Sequence, residues 1–138
     1  MQVGIIGIGL IVGSMAIDFK KLKFADRIVG VENDHLHATA ALEIGLVDEI
    51  VSLEECISGS DIIVVATPVS AAIRLIPRIL DKVDRQVVTD VCSTKEKINE
   101  IIHYHPNRKN FVAAHPMAGT EYSGPWAALP GLFDGRAG

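Results

Sequence analysis

The first fifteen residues constrain this chain more than any other part. The run from Val3 to Ile6 reads as a short buried strand, and the string GIGLIVGS, residues 7–14, follows it at once. A glycine turn joining a buried strand directly to a helix lets the backbone approach a ligand closely. It also leaves the first N–H groups of the helix, and the positive end of its dipole, facing an anion. Gly7 and Gly9, with Leu10 and Ile11 opening the helix, are therefore candidate diphosphate-binding residues. Read alone, the same string is equally a tight strand–helix connection. In the spacing G-x-G-x-x-G the third glycine falls on Val12, with Gly13 one place late. That third position normally lets helix and strand pack closely, so a valine there is expected to push the helix, crowd the diphosphate or shift the loop by one residue.

Beyond this opening, apolar β-branched runs alternate with segments of helical period. Strands are expected at Ile28 to Val31, Ile50 and Val51, Ile62 to Ala66, Val87 to Asp90 and Phe111 to Ala114. Helices are expected from the glycine turn to about Phe24, around Ala38 to Leu42, from Ser70 to Leu80 and from Lys95 to His103. The strands read as continuous apolar runs, the pattern of strands covered on both faces by crossover helices. The fold class is α/β, a doubly wound and mostly parallel sheet, and two βαβαβ halves predict the strand order 3-2-1-4-5-6. Residues 1–114 form this core. From His115 onward the chain is rich in glycine and proline and reads as a loop and tail.

Ligands bind such sheets at the carboxyl ends of the strands. Glu32 closes the second strand about 20 residues beyond the glycines, where a carboxylate accepts hydrogen bonds from ribose hydroxyls and repels a 2′-phosphate. That spacing favours NAD over NADP; taken singly, Glu32 is an ordinary surface acid at a strand end. Thr67 and Pro68 follow one apolar strand, and Asp90, Ser93 and Thr94 follow another. Ser93 and Thr94 also suit the N-cap of the helix expected at Lys95, with Glu96 assisting. His115 follows the last strand, and its imidazole, with an ordinary pKa of about 6.5, suits proton transfer from a hydroxyl. His35, His37, His103 and His105 read as surface residues, and Lys20, Lys21 and Lys23 as cations at a helix C-terminus.

Thirteen basic and 17 acidic side chains are interspersed, which argues against a nucleic-acid partner. Although 49% of residues are hydrophobic, no run approaches the roughly 20 uncharged residues of a membrane span. The N-terminus lacks the basic region and cleavage site of a signal peptide, so a cytoplasmic location is expected. Two cysteines, Cys56 and Cys92, are too few for a disulfide framework or a zinc site, and no metal is expected.

The strings GIGLIVGS, ATPV, DVCSTK and HPMAGTEYSGP occur in order and at matching separations. In this the chain resembles, over essentially its whole length, the N-terminal Rossmann-type domain of the prephenate dehydrogenase family, arogenate-using members included. The resemblance implies oxidative decarboxylation: the C4 hydride of prephenate passes to NAD and the ring carboxylate leaves as carbon dioxide, giving 4-hydroxyphenylpyruvate for tyrosine synthesis. It implies that His115 is the catalytic base toward the C4 hydroxyl, that Ser93 bonds the same hydroxyl, and that Thr120 and Glu121 line the substrate pocket. It further implies a helical C-terminal domain that dimerises and supplies a substrate-binding arginine. The chain as given stops before such a domain and is expected to have little or no activity alone. Val12 and Cys92 stand where the family usually has glycine. Another dehydrogenase of the 6-phosphogluconate dehydrogenase-like group is disfavoured by HPMAGTE, and a non-catalytic nucleotide-binding module with a decayed site is the reading from a different class.

Overall fold

The protein is described from a computed structural model, covering residues 1–92, 95–114, 124, 125, 128, 130 and 131. Among these residues, six parallel strands form one sheet: β1 (Gln2–Ile6), β2 (Arg27–Val31), β3 (Glu49–Ile50), β4 (Ile62–Val65), β5 (Val87–Asp90) and β6 (Phe111–Ala113). Their order is β3-β2-β1-β4-β5-β6, the doubly wound order expected from the alternation of runs. Five helices connect them: α1 (Leu10–Lys21), α2 (His35–Ile44), α3 (Leu53–Gly59), α4 (Val69–Leu80) and α5 (Glu96–Ile102), with a 3-10 turn at Arg108–Asn110.

Residues alternate across the sheet, so each interior strand feeds two cores. On one face Val3, Ile5, Ile28 and Val64 pack with Val12 and Ala16 of α1 and Ala41 of α2. On the other, Ile6, Val29, Ile63, Val65 and Val88 meet Ile57 of α3, Ile76 and Ile79 of α4 and Ile98 of α5. Burial on both faces is why these strands carry no polar alternation. The register aligns Ile6 with Val31 and Val65, and Val65 with Asp90. The carboxyl ends of β1, β2, β4 and β5 therefore finish level, and the segments that leave them share one edge.

Several boundaries differ from the sequence expectation, each for a local reason. Helix α1 stops at Lys21 rather than near Phe24, because Lys23 turns left-handed at φ 56 and the Phe24 N–H bonds back to the Phe19 carbonyl. That turn sets the two phenyl rings 4.9 Å apart. Lys20 also does more than face the helix dipole, since its ammonium bonds the Gly45 carbonyl and, at 3.0 Å, Asp48. Burial draws the Asp48 carboxyl upward, but the Ile28 N–H and Lys20 outweigh it and hold the group below the usual carboxylate range. Helix α3 was not expected, although Ser52 and Glu55 form a capping box at its start. At α5 the N-cap position is Lys95, without a side-chain cap, rather than Ser93 or Thr94, which lie outside the described residues. Of the four histidines read as surface, His105 is a brace: its side chain is 12% exposed, with Nε2 2.7 Å from Asp81 and Nδ1 accepting from the Asn107 N–H.

Helix α3 can lie against β1 because Gly4 has no side chain. A Cβ there would meet Cys56 Sγ at 2.4 Å and Ser60 Oγ at 2.5 Å. Gly4→Ala is expected to cost about 1–3 kcal/mol by overpacking, read as a lower urea midpoint at unchanged slope; an unchanged midpoint would show that α3 is not clamped there. Cys56 and Cys92 both belong to the core on the α3–α5 side, and burial pushes each thiol up to about 11. At pH 7 only about one thiol in ten thousand is then ionised, so neither should react with a disulfide reagent in the native protein, while both should in denaturant. Rapid labelling of the folded chain would contradict this burial.

Candidate nucleotide-binding site

The level strand ends place a cleft of about 340 Å³ over β1, β2 and β4. Ile6, Gly7, Val31, Glu32, Asn33, Thr67 and the start of α3 at Leu53 line it, and α4 closes it with Ala71, Arg74, Leu75 and Arg78. Gly7, Glu32 and Thr67, separated by dozens of residues in the sequence, are thereby brought to one place. Gly7 adopts φ +84, and a Cβ on it would press on the backbone of Ala66 and Thr67 at 3.2 Å. Both demands, a left-handed turn and a close backbone neighbour, select glycine.

Glu32 is held rather than loose. One carboxylate oxygen accepts the Ile8 N–H at 2.8 Å and the other the Asp34 N–H at 3.1 Å. The acid thus ties the end of β2 to the turn after β1, and each oxygen keeps a lone pair for a hydroxyl donor. Asp34 in turn caps α2 by accepting from the Leu36 and His37 N–H groups.

The start of α1 suits an anion. Its N-cap is Gly9, with no side-chain hydrogen bond and no acidic residue in the first turn, so the first N–H groups carry no side-chain cap. A Cβ on Gly9 would meet nothing within 4 Å, which leaves open space over the helix end. Gly9, Leu10 and Ile11 line a second hollow, of about 280 Å³, with Val12, Ala66 and Val91. The hydroxyl Oγ1 of Thr67 is buried and has no hydrogen-bond partner among the described residues. An open glycine cradle at an uncapped helix end, an acid fixed at the second strand and an unpartnered hydroxyl between them fit a dinucleotide.

The two departures from glycine are absorbed by packing. Val12 is 1% exposed and belongs to the core beneath α1 with Ile5, Ile8 and Ile28, so its methyls face the sheet. Close approach instead falls on Gly13, where a Cβ would meet Ala128 at 3.0 Å and Leu46 at 3.2 Å. Cys92 is also buried, its thiol 3.6 Å from the Thr67 carbonyl.

Asp90 is not among the residues lining either hollow. It is fully buried, accepts the Cys92 N–H at 3.1 Å and pairs with the Lys95 ammonium. Pro68 is the N-cap of α4. His115, Ser93, Thr120 and Glu121 lie outside the described residues. Sequence reading passed over Arg74 and Arg78, which the spacing i, i+3, i+4, i+7 of Ala71, Arg74, Leu75 and Arg78 would have put on one helix face.

Comparison with known proteins agrees with this geometry. Residues 15–137 match the family described as prephenate dehydrogenase, nucleotide-binding domain. The chain is 35% identical over 134 residues to prephenate dehydrogenase of Bacillus subtilis, a match covering 93% of this chain and 36% of that protein. Among solved structures, prephenate dehydrogenase from Aquifex aeolicus in complex with hydroxyphenyl propionate and NAD+ superposes with a TM-score of 0.78 at 26% identity, over 99% of this chain and 48% of that one. Arogenate dehydrogenase of Synechocystis gives 0.81 at 28% identity, over 99% and 48%. The chain therefore spans less than half the length of these relatives. On its fold, its glycine cradle and the match over residues 15–137, the chain belongs to the prephenate dehydrogenase nucleotide-binding domain family.

Proposed function

We propose that this chain is the NAD-binding half of a prephenate dehydrogenase. The observation that carries the reading is the fixed Glu32 carboxylate beside the uncapped start of α1. Gly7, Gly9, Leu10 and Ile11 would hold the diphosphate through backbone N–H groups, Glu32 the adenosine ribose hydroxyls, and Thr67 and Pro68 the far side of the cradle. Asp90 would act on the site from below, through Lys95 and the Cys92 N–H. The bound NAD+ of the Aquifex aeolicus relative supports this choice of cofactor.

When bound, NAD supplies the acceptor for the C4 hydride. The residues of this chain supply the rest: His115, as neutral imidazole, takes the proton of the C4 hydroxyl, and Ser93 holds that hydroxyl and helps orient the histidine. The carbon–carbon bond to the ring carboxylate breaks, carbon dioxide leaves, the bonding pair makes the ring aromatic, and the ring oxygen regains a proton to give the phenol. Thr120 and Glu121 would line the substrate side. The proposal places the whole protein in the cytoplasm as a homodimer through a helical C-terminal domain. Among the described residues no helix is long and apolar enough to cross a membrane. The likeness to Synechocystis arogenate dehydrogenase supports a second reading in which arogenate replaces prephenate.

Calorimetric titration tests the cofactor half directly. NAD should bind the chain, and Glu32→Ala should weaken it about tenfold, the factor for one charge-assisted hydrogen bond. Absence of binding to the unaltered chain would remove the reading. In the whole protein that carries this domain, His115→Asn should lower kcat about 100-fold or more with little change in NAD affinity. Full activity in that variant would displace His115 from the role.

A further inference from the structure

Glu32 shares its cleft with two cations. Helix α4 turns Ala71, Arg74, Leu75 and Arg78 toward it, two guanidinium groups one helical turn apart between small and apolar neighbours. Glu54 is near Arg78, but that acid is held below the usual carboxylate range first by its own backbone N–H and then by Lys82, 3.5 Å away, with Arg78 contributing least. Arg74 makes no hydrogen bond or ion pair among the described residues. Glu32, for its part, already accepts backbone N–H groups on both oxygens. The adenosine end thus holds one carboxylate, partly satisfied, against two guanidinium groups, one of them without a partner among the described residues. Two guanidinium groups on one cleft wall both attract an anion bound between them and the acid, since salt screens a charge only beyond about 8 Å at physiological strength. Arginine is also the side chain whose planar fork matches a phosphate.

We propose that the adenosine end of this cleft admits a 2′-phosphate held by Arg74 and Arg78, so that the chain binds NADP as well as NAD. The proposal rests on the dinucleotide reading of the cleft. Glu32 taken by itself predicts strong rejection of NADP. The two arginines on the facing wall counter that rejection, and the choice between cofactors becomes a contest between one acid and two bases. Both arginines are exposed at the cleft wall, so replacing them leaves the core intact.

The test is a calorimetric titration of NAD and of NADP into the unaltered chain, the double variant Arg74→Gln/Arg78→Gln, and Glu32→Gln. NADP should bind the unaltered chain within about tenfold of NAD, and the double variant should lose at least about tenfold in NADP affinity while NAD changes less than about threefold. Glu32→Gln should reverse the order, NADP binding ahead of NAD. Binding of NAD with NADP weaker by more than about a hundredfold overturns this proposal and leaves the NAD reading standing. Equal weakening of both cofactors in the double variant also overturns it, since the arginines would then serve the adenosine common to the two. Failure of both cofactors to bind the unaltered chain overturns the dinucleotide reading and this proposal with it.

Discussion

The hydrogen bond from the Ile8 N–H to the Glu32 carboxylate is the constraint on which the site depends. It adds a side-chain tether to the backbone bond from the Gly7 N–H to the Val31 carbonyl, and so holds the turn after β1 against the end of β2. A carboxylate with no such tether, at a strand end facing solvent, would sample several rotamers and lose entropy when a ribose fixed it. Here the backbone has fixed it already. The same bond leaves the N–H groups farther along the turn for a ligand, and the Asp34 N–H on the second oxygen extends the tether to the cap of α2. Strand register, turn and helix cap therefore hold one geometry together.

The side chains of Val12 and Cys92, at positions where the fingerprint favours glycine, are taken up largely by packing. At a helix start, the third glycine of the fingerprint spares room between helix and sheet. In this chain Val12 fills that room with methyl groups that join the core. The need for a bare backbone moves to Gly13, because Ala128 and Leu46 come against the helix at that point. Gly131, close behind Ala128 in sequence, donates its N–H to Asp18 on the same helix. The returning segment and the displaced glycine thus account for each other. The effect of Cys92 is different in kind: its thiol reaches the Thr67 carbonyl and links the segments that leave β4 and β5.

The parallel order was legible because strands buried on both faces leave an unmistakable apolar run, and Gly7, Gly9 and Glu32 because their spacing has a geometric cause. Helix α3 escaped because seven residues hold too few turns for a periodic signal, although Ser52 and Glu55 marked its start. The N-cap of α5 was misplaced because serine and threonine beside a helix are persuasive caps, and the structure puts Lys95 there instead. Arg74 and Arg78 were invisible as site residues because an arginine on an amphipathic helix usually faces water; only the path of α4 over the cleft gives them another surface. His105 likewise needed Asp81, 24 residues away, to become a brace.

The buried pair of Asp90 and Lys95 carries the reasoning toward the catalytic side. Asp90 is fully enclosed at the end of β5, and one of its oxygens has no partner among the described residues. Desolvating a carboxylate so completely is unfavourable, and a buried ion pair by itself adds little net stability compared with apolar packing. Its effect is better sought in position. The other oxygen takes the Cys92 N–H and the Lys95 ammonium, so contacts at residues 92 and 95 enclose Ser93 and Thr94 in sequence. Losing the Lys95 contact would leave the buried carboxylate without its counter-charge, and losing the Cys92 N–H would remove one of its hydrogen bonds, which makes the spacing of those two anchors costly to alter. A segment proposed to present a serine to a reacting hydroxyl requires such anchoring, because proton transfer tolerates little error in distance. On this view the D-V-C-S-T-K string pairs a buried acid at one end with a half-buried ammonium at the other and sets the candidate chemistry between them.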